Sequence, residues 1–330
     1  MGEAAPPANE VRREAEILAA ATAVSGGVEP PRPNVESVVI LPGGRALGYA
    51  EYGDPHGDVV LWFHGTPGAR KQIPPDINEV ATQRHYRVIG IERPGTGFST
   101  PFTYGKVLDW ATDVAAFADA LGIERFATAG LSGGGPFVLA VCFALADRVT
   151  AGAVLGGVGP TRGREAAPGY TRLLPLAEPF LTLARIPLGE VLTYLIRPVR
   201  AFGSKGFDLY THVAPKSDRE IMRRPEMKAM FLYDLLEAAE GGVRAPVSDL
   251  VVFGRDWGFS LHDIEVPVRF YSGDADGVVP HSHGRFQAEH VPTADLVVSE
   301  GGGHFAGFIL APDVLDWIST VWPSRAHAPG

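Results

Sequence analysis

A single cysteine, Cys142, occurs in the 330 residues, so no disulfide can form within the chain. That scarcity leads to the expectation of a reducing compartment, the cytoplasm. Cys142 sits in the apolar run FVLAVCFALA and is read as a small buried hydrophobe rather than a nucleophile. No uninterrupted apolar stretch is long enough to span a bilayer, so stable membrane insertion is not expected. Cations are the minority charge, 29 Lys+Arg against 38 Asp+Glu, and they form no long run. A nucleic-acid partner needs a basic patch facing the phosphates, and none is expected here. Internal repeats and low-complexity tracts are also missing. What is present is ordinary for a folded chain: 45% hydrophobic and 20% charged residues, which argues against disorder over most of the length. The length suits a core carrying an insertion or a second small domain.

The opening segment MGEAAPPANEVRREAEILAAATAVSGG mixes its basic residues with Glu3, Glu10, Glu14 and Glu16. A secretory leader begins basic, so the segment is read instead as an extension with a short amphipathic helix over 11–24. The prolines of VEPPRPN favour extended chain and mark a linker, which sets residues 1–36 apart.

From Ser37 onward the pattern changes. SVVILPGG and ALGYAEYGD read as a hairpin turning at PGG. DVVLWFHG, RVIGIERPG, FATAGLS and TAGAVLGGVG are nearly continuous apolar runs, as strands buried on both faces are. Between them, DINEVATQRH and VLDWATDVAAFADALG have helical spacing, the second stopped by Gly122. Strands alternating with helices predict an α/β fold, a mostly parallel central sheet flanked by helices. The alternation halts near Pro160, and residues 161–262 carry helical patterns such as LLPLAEPFLTLARI, LGEVLTYLIRPV and MKAMFLYDLLEAAEGG. Strands and helices then resume with VPVRFYSGDADGVVP, HSHGRFQAEHV, ADLVVSEGGGH and FILAPDVLDWISTVW. The predicted organisation is a core of residues 37–160 and 263–330, with 161–262 inserted as a helical cap over the ligand end of the sheet.

Ser132 stands where a strand gives way to a helix, within Gly130-Leu131-Ser132-Gly133-Gly134, a G-x-S-x-G pattern. A sharp strand-to-helix turn leaves no room for a Cβ two residues before and after the serine. The helix start then aims free N–H groups at the site and favours developing negative charge. A phosphate loop of the G-x-x-x-x-G-K-[ST] kind needs a lysine that is missing, and G-x-G-x-x-G is absent. A flexible linker conflicts with the apolar runs on both sides. Ser132 is therefore read as a nucleophile. Acyl transfer also needs donors for the developing oxyanion. The Gly133 N–H is one candidate and the Thr66 N–H, in WFHGTPG, the other. His64 in that loop is read as structural.

The motifs HGTPG, ERPGTGFS, GLSGGG, GDADGVVP and GGGH, in this order, resemble the α/β-hydrolase superfamily from about Ser37 to Trp322, with 161–262 least distinctive. The resemblance implies an α/β-hydrolase fold with an inserted helical cap and a triad in the chain order serine, acid, histidine. His304 in GGGHF matches the base. The acid is Asp276 or Asp274; Asp276 is preferred, because G-x-x-D-x-x-x-P maps onto Gly273, Asp276 and Pro280. His281 and His283 form an H-x-H at a helix start and are expected to face solvent, with no metal site there. Relatives that act on epoxides or haloalkanes carry aspartate at the nucleophile position, so the serine argues against those reactions.

The leading expectation is a serine hydrolase of a carboxylic ester or related acyl compound, acting on a small, apolar acyl substrate through an acyl-enzyme, without cofactor or metal. Alternatives on the same triad are a proline-iminopeptidase-like peptidase, a C–C hydrolase and a cofactor-free haloperoxidase-like enzyme. In the peptidase, Asp234, Glu237 or Glu240 would hold the substrate amine. A ligand receptor on the same fold is the non-enzymatic alternative.

Overall fold

The computed structural model describes residues 3–4, 8–183, 214–240 and 244–322. The expected cap, 161–262, thus lies partly outside the described residues, including the stretch LGEVLTYLIRPV. β2 (Val35–Ile40) and β3 (Ala46–Gly53) form the antiparallel hairpin, in register from Val35↔Glu51 to Ile40↔Ala46. Its turn places Gly43 and Gly44 at φ values of 90° and 84°, left-handed backbone that strains any residue with a Cβ.

β4 (Asp58–Phe63) runs parallel to both β5 (Tyr86–Ile91) and β6 (Phe126–Leu131). β7 (Val149–Leu155), β8 (Val268–Gly273) and β9 (Ala294–Ser299) extend the parallel part. With a two-residue edge strand, β1 (Glu3–Ala4), the sheet has nine strands among the described residues, in the order β1-β2-β3-β5-β4-β6-β7-β8-β9. Alternate side chains of a strand face opposite ways. In β4, Leu61 and Phe63 join a cluster with Trp110, Phe117 and Phe137, while Val60 and Trp62 join another with Ile77, Trp317 and Ile318. Both faces are thus buried, which is why the strand reads as one apolar run.

Helices cover the two faces. α3 (Asp109–Ala120), α4 (Gly135–Ala144) and, later, α8 (His281–His290) pack on the first cluster; α1 (Ala8–Val24), α2 (Ile77–Gln83) and α9 (Ala311–Val321) pack on the second. The N-terminal helix buries Ile17 and Ala21 in the core, worth about 1.5–3 kcal/mol for a side chain of isoleucine size. Between β7 and β8 the described chain holds helices and no strand. Residues 174–183 are helical, and α5 (Lys216–Met222), α6 (Pro225–Glu240) and α7 (Arg244–Phe253) follow. Met230, Leu232 and Tyr233 of α6 pack into the second cluster and Trp257 into the first, so these residues of the insert serve the core.

The strand order positions the site. The chain leaves β4 for β5 on one side and later returns to β6 on the other. Loops leaving the carboxyl ends of β4 and β6 therefore part company and open a crevice, the usual ligand position in an open α/β sheet.

One buried ionic cluster ties the N-terminal helix to the sheet and the insert. Arg70, fully buried, donates from Nε to Glu36 (2.9 Å), from Nη1 to Glu92 (2.5 Å) and Glu237, and from Nη2 to Glu14 (2.8 Å). Lys71 donates to Glu14, to Glu36 at 2.7 Å and to Tyr233 Oη at 3.0 Å. Four carboxylates thus face two cations, and they respond differently. Burial pushes Glu237 up to about 7 despite Arg70, and its Oε2 has no hydrogen-bond partner. Burial also acts to raise Glu14, but Arg70 and Lys71 outweigh it and hold this carboxyl at about 2. The folded chain holds the Glu237 proton more tightly than the unfolded chain does. Stability from this group is therefore complete below the unfolded value near 4.5 and falls as pH rises toward about 7. The difference amounts to on the order of 3 kcal/mol. Urea midpoints at pH 5 and pH 8 should drop in the wild type and drop less in Glu237→Gln. An equal drop in both proteins excludes Glu237 as the titrating group.

Candidate active site

Ser132 follows β6 with φ of 49°, a left-handed conformation costing a residue with a Cβ roughly 1–2 kcal/mol. The surrounding glycines follow from close approach. A Cβ on Gly130 would meet Val138 Cγ2 at 2.8 Å and the Gly134 backbone at 2.9 Å; one on Gly134 would meet the His64 carbonyl oxygen at 2.8 Å and press on that of Phe63. Gly135, to which the sequence assigned no part, packs where a Cβ would lie 2.8 Å from Gly157 Cα. α4 then runs inward with Gly135 to Cys142 all buried, a helix apolar on every side because it is covered on every side. Burial pushes the Cys142 thiol up, which keeps it protonated and inert.

His304 begins a 3₁₀ turn, His304–Ile309, beyond β9. Its Nε2 lies 3.0 Å from Ser132 Oγ, and its Nδ1 lies 2.8 Å from Asp276 Oδ2. The Asp276 side chain is 1% exposed, and its Oδ1 accepts the Val278 and Val279 N–H groups at 2.8 Å each. An ionised carboxylate only accepts, so Nδ1 carries the proton and Nε2 is left to accept from the serine hydroxyl. Asp274 points elsewhere: its Oδ1 accepts the Gly301 N–H at 2.6 Å, bracing a turn on the surface.

The loop after β4 reaches the same place. A Cβ on Gly133 would come within 3.1 Å of Thr66 N and 2.8 Å of Thr66 Cβ, so the two backbones touch beside Ser132. His64 is buried; its Nε2 accepts the Arg93 N–H at 3.0 Å and its Nδ1 donates to the Gly65 carbonyl at 2.8 Å. Burial, followed by the Arg93 charge, pushes its pKa well below the usual imidazole range, which fits a neutral structural ring. Around the loop, Gln72 Oε1 accepts the Gly65 N–H at 2.5 Å, and Arg93 donates to the His64 and Gly65 carbonyls at 2.6 and 2.7 Å.

The H-x-H pair requires a correction. His283 does not face solvent; it is fully buried, its Nδ1 accepting the Gly159 N–H at 2.9 Å and its Nε2 meeting Thr171 Oγ1 at 2.9 Å. Burial lowers it to about 4. The helix starting at His281 turns this position inward, against the loop that follows β7. His281 is partly buried against Ser272 Oγ at 2.9 Å. No group of three or more metal-binding side chains occurs among the described residues, and none of their helices is long and apolar enough to cross a membrane.

Three aspartates of the insert meet the loops of the site. Asp218 accepts the His304 and Phe305 N–H groups, Asp234 accepts the Ala69 N–H and a Gln72 amide proton, and Asp249 accepts from Thr66 Oγ1 and Arg93. In the sequence Asp218 and Asp249 look like ordinary helix acids, and Asp234 stands out only as a candidate substrate contact.

Ser132, His304 and Asp276 thus meet beyond the carboxyl ends of parallel strands, in the crevice where strand order reverses on an α/β sheet. The chain has the α/β-hydrolase fold: the family model described as alpha/beta hydrolase fold matches residues 58–186, and solved structures of that fold superpose along most of the chain. An esterase from Thermogutta terrifontis has a TM-score of 0.65 at 16% identity, covering 88% of this chain and 100% of its own. A bromoperoxidase from Bacillus anthracis has a TM-score of 0.65 at 18% identity, covering 87% and 100%. These two share the fold. A proline iminopeptidase from Xylella fastidiosa (strain 9a5c) is 30% identical over 115 residues, 33% of this chain and 35% of the relative. The match thus spans about a third of that curated relative's length.

Proposed function

We propose that this protein is a serine hydrolase of a carboxylic ester or related acyl compound, working through an acyl-enzyme. The observation that carries the reading is the continuous hydrogen-bond chain from Ser132 through His304 to Asp276, at 3.0 and 2.8 Å. Ser132 Oγ attacks the acyl carbonyl as its proton passes to His304 Nε2, and Asp276 orients and stabilises the imidazolium. The oxyanion forms between the Gly133 and Thr66 N–H groups; one such donor is worth about 2.7–4 kcal/mol. The C–O bond to the alcohol then breaks, and His304 returns the proton to the leaving oxygen. Water attacks the acyl-serine with His304 again as base, releasing the acid and restoring the serine. None of these steps calls for a metal or organic cofactor. We further propose a small, apolar acyl substrate, residues 161–262 as a cap over the crevice, and a cytoplasmic setting.

The likeness to a proline iminopeptidase favours a second reading, cleavage of an N-terminal residue. That reaction needs a carboxylate free to hold the substrate amine. Asp234 is committed to Ala69 N and Gln72, and Glu237 to Arg70, both buried; the Glu240 side chain lies outside the described residues. These commitments support the ester reading. The test is steady-state hydrolysis of acetyl and butyryl p-nitrophenyl esters beside a prolyl arylamide, with fluorophosphonate labelling of Ser132. Ester turnover with labelling is expected. Preference for the prolyl amide selects the peptidase, and labelling without turnover selects a receptor.

The acid assignment has its own test. Asp276→Asn should slow ester turnover about 10⁴-fold by allowing the wrong histidine tautomer. Asp274→Asn, a surface turn residue, should leave kcat within about threefold. If only the second variant is inactive, the acid is Asp274.

A further inference from the structure

We propose that the helices inserted between β7 and β8 are part of the catalytic frame, with Asp218 of α5 and Asp249 of α7 as positioning residues for the base and for the oxyanion loop. The inference rests on the Ser132 reading above and extends it.

Asp218 is fully buried. Its Oδ2 accepts the His304 N–H and its Oδ1 the Phe305 N–H, both at 2.9 Å. These are the first two amides of the 3₁₀ turn, donors with no partner inside the turn itself. One carboxylate thus fixes the peptide planes on both sides of the His304 Cα. That sets the direction of the imidazole, and with it the 3.0 Å approach to Ser132. Gly303 permits the contact, since a Cβ there would collide with the Asp218 carboxyl. Asparagine offers one acceptor where two are used, and its amide hydrogens would oppose the second N–H.

Asp249 acts at the other half of the site. Its Oδ2 accepts from Thr66 Oγ1 at 2.6 Å and from Arg93 Nε and Nη2 at 3.0 and 2.8 Å. Arg93 in turn grips the two carbonyls just before Thr66, so α7 sets the direction of the Thr66 N–H. Asp234 of α6 supports the same loop through Ala69 N and Gln72, both at 2.8 Å. Three successive helices each send one aspartate to a loop of the reaction centre. A shift of the insert therefore shifts base and oxyanion donors, whereas a simple cover would leave them in place.

The test separates positioning from bulk stability by the leaving group. A p-nitrophenolate departs without a proton, whereas an alkoxide needs one from His304. In Asp218→Asn, kcat should fall about 100-fold for an alkyl ester and only about tenfold for the p-nitrophenyl ester of the same acid, with KM within about twofold. In Asp249→Asn, kcat should fall about tenfold for both esters, because both share the oxyanion. Thermal unfolding of each variant is measured alongside. Unchanged kcat, equal losses for the two esters in Asp218→Asn, or a rise in KM alone overturns the proposal. If Asp218→Asn does not fold, Asp249→Asn decides: a loss in kcat at constant KM supports the frame, and wild-type kcat overturns it. Failure of the wild type to label with fluorophosphonate would instead sink the reading of Ser132 itself.

Discussion

If the proposed triad acts, Ser132→Ala should lower kcat for an activated ester by roughly a million-fold, and His304→Ala nearly as much. The two losses do not add: the double variant is expected to be no slower than either single one, because serine and histidine act as one unit once the 3.0 Å hydrogen bond joins them. A residual rate above the spontaneous reaction should persist in all three, since the proposed Gly133 and Thr66 donors would still stabilise an oxyanion when water attacks. Alanine retains a Cβ at φ of 49°, so the strain of the turn is kept and unfolding should be nearly unchanged. Stopped assays against long incubations check the rates. Turnover within tenfold of wild type in Ser132→Ala would move the nucleophile elsewhere.

The largest expected change in stability comes from a residue outside the Ser132–His304–Asp276 hydrogen-bond chain. Arg70→Met costs about 3–5 kcal/mol, the usual effect of breaking a buried pair from one side. Its methylenes and their packing on Phe98, 3.8 Å below the guanidinium, are largely retained by methionine. What is lost is the partner of four glutamates, leaving Lys71 as the remaining cation of the cluster. The penalty should shrink at pH 5, where the carboxyls pushed up by burial, Glu237, Glu92 and Glu36, take up protons more readily. Denaturant unfolding at pH 5 and pH 8 checks both magnitude and trend. Arg84→Met is the control: its bidentate pair with Asp316 lies at the surface, and an exposed pair is worth at most about 1 kcal/mol. Equal costs for the two variants would show that the Arg70 cluster is not a structural centre.

The parallel sheet was legible because burial on both faces writes itself as continuous apolar runs such as DVVLWF. The turn at Ser132 was legible because close approach leaves glycine as the workable choice at Gly130 and Gly134. Other features left no such trace. Arg70 and Lys71 look like surface cations, and only the fold brings Glu14, Glu36, Glu92 and Glu237 around them. His283 sits in a polar helix, and its inward orientation depends on how α8 docks, not on local spacing. Asp218 and Asp249 became visible only through loops distant in sequence. The described part of the insert contains α5, α6 and α7, yet its apolar patterns did not reveal that Met230, Leu232 and Tyr233 belong to the core.

The span of the reacting groups along the chain has a consequence for folding. Ser132 and His304 are 172 residues apart, and the Thr66–Asp249 bond joins residues 183 apart. No early, locally closed fragment can contain them together. Contacts of such long sequence separation close late, because the loop entropy between them must be lost first. Regain of hydrolysis after dilution from denaturant should therefore trail the recovery of helical signal, so turnover serves as a clock for the last long-range closure.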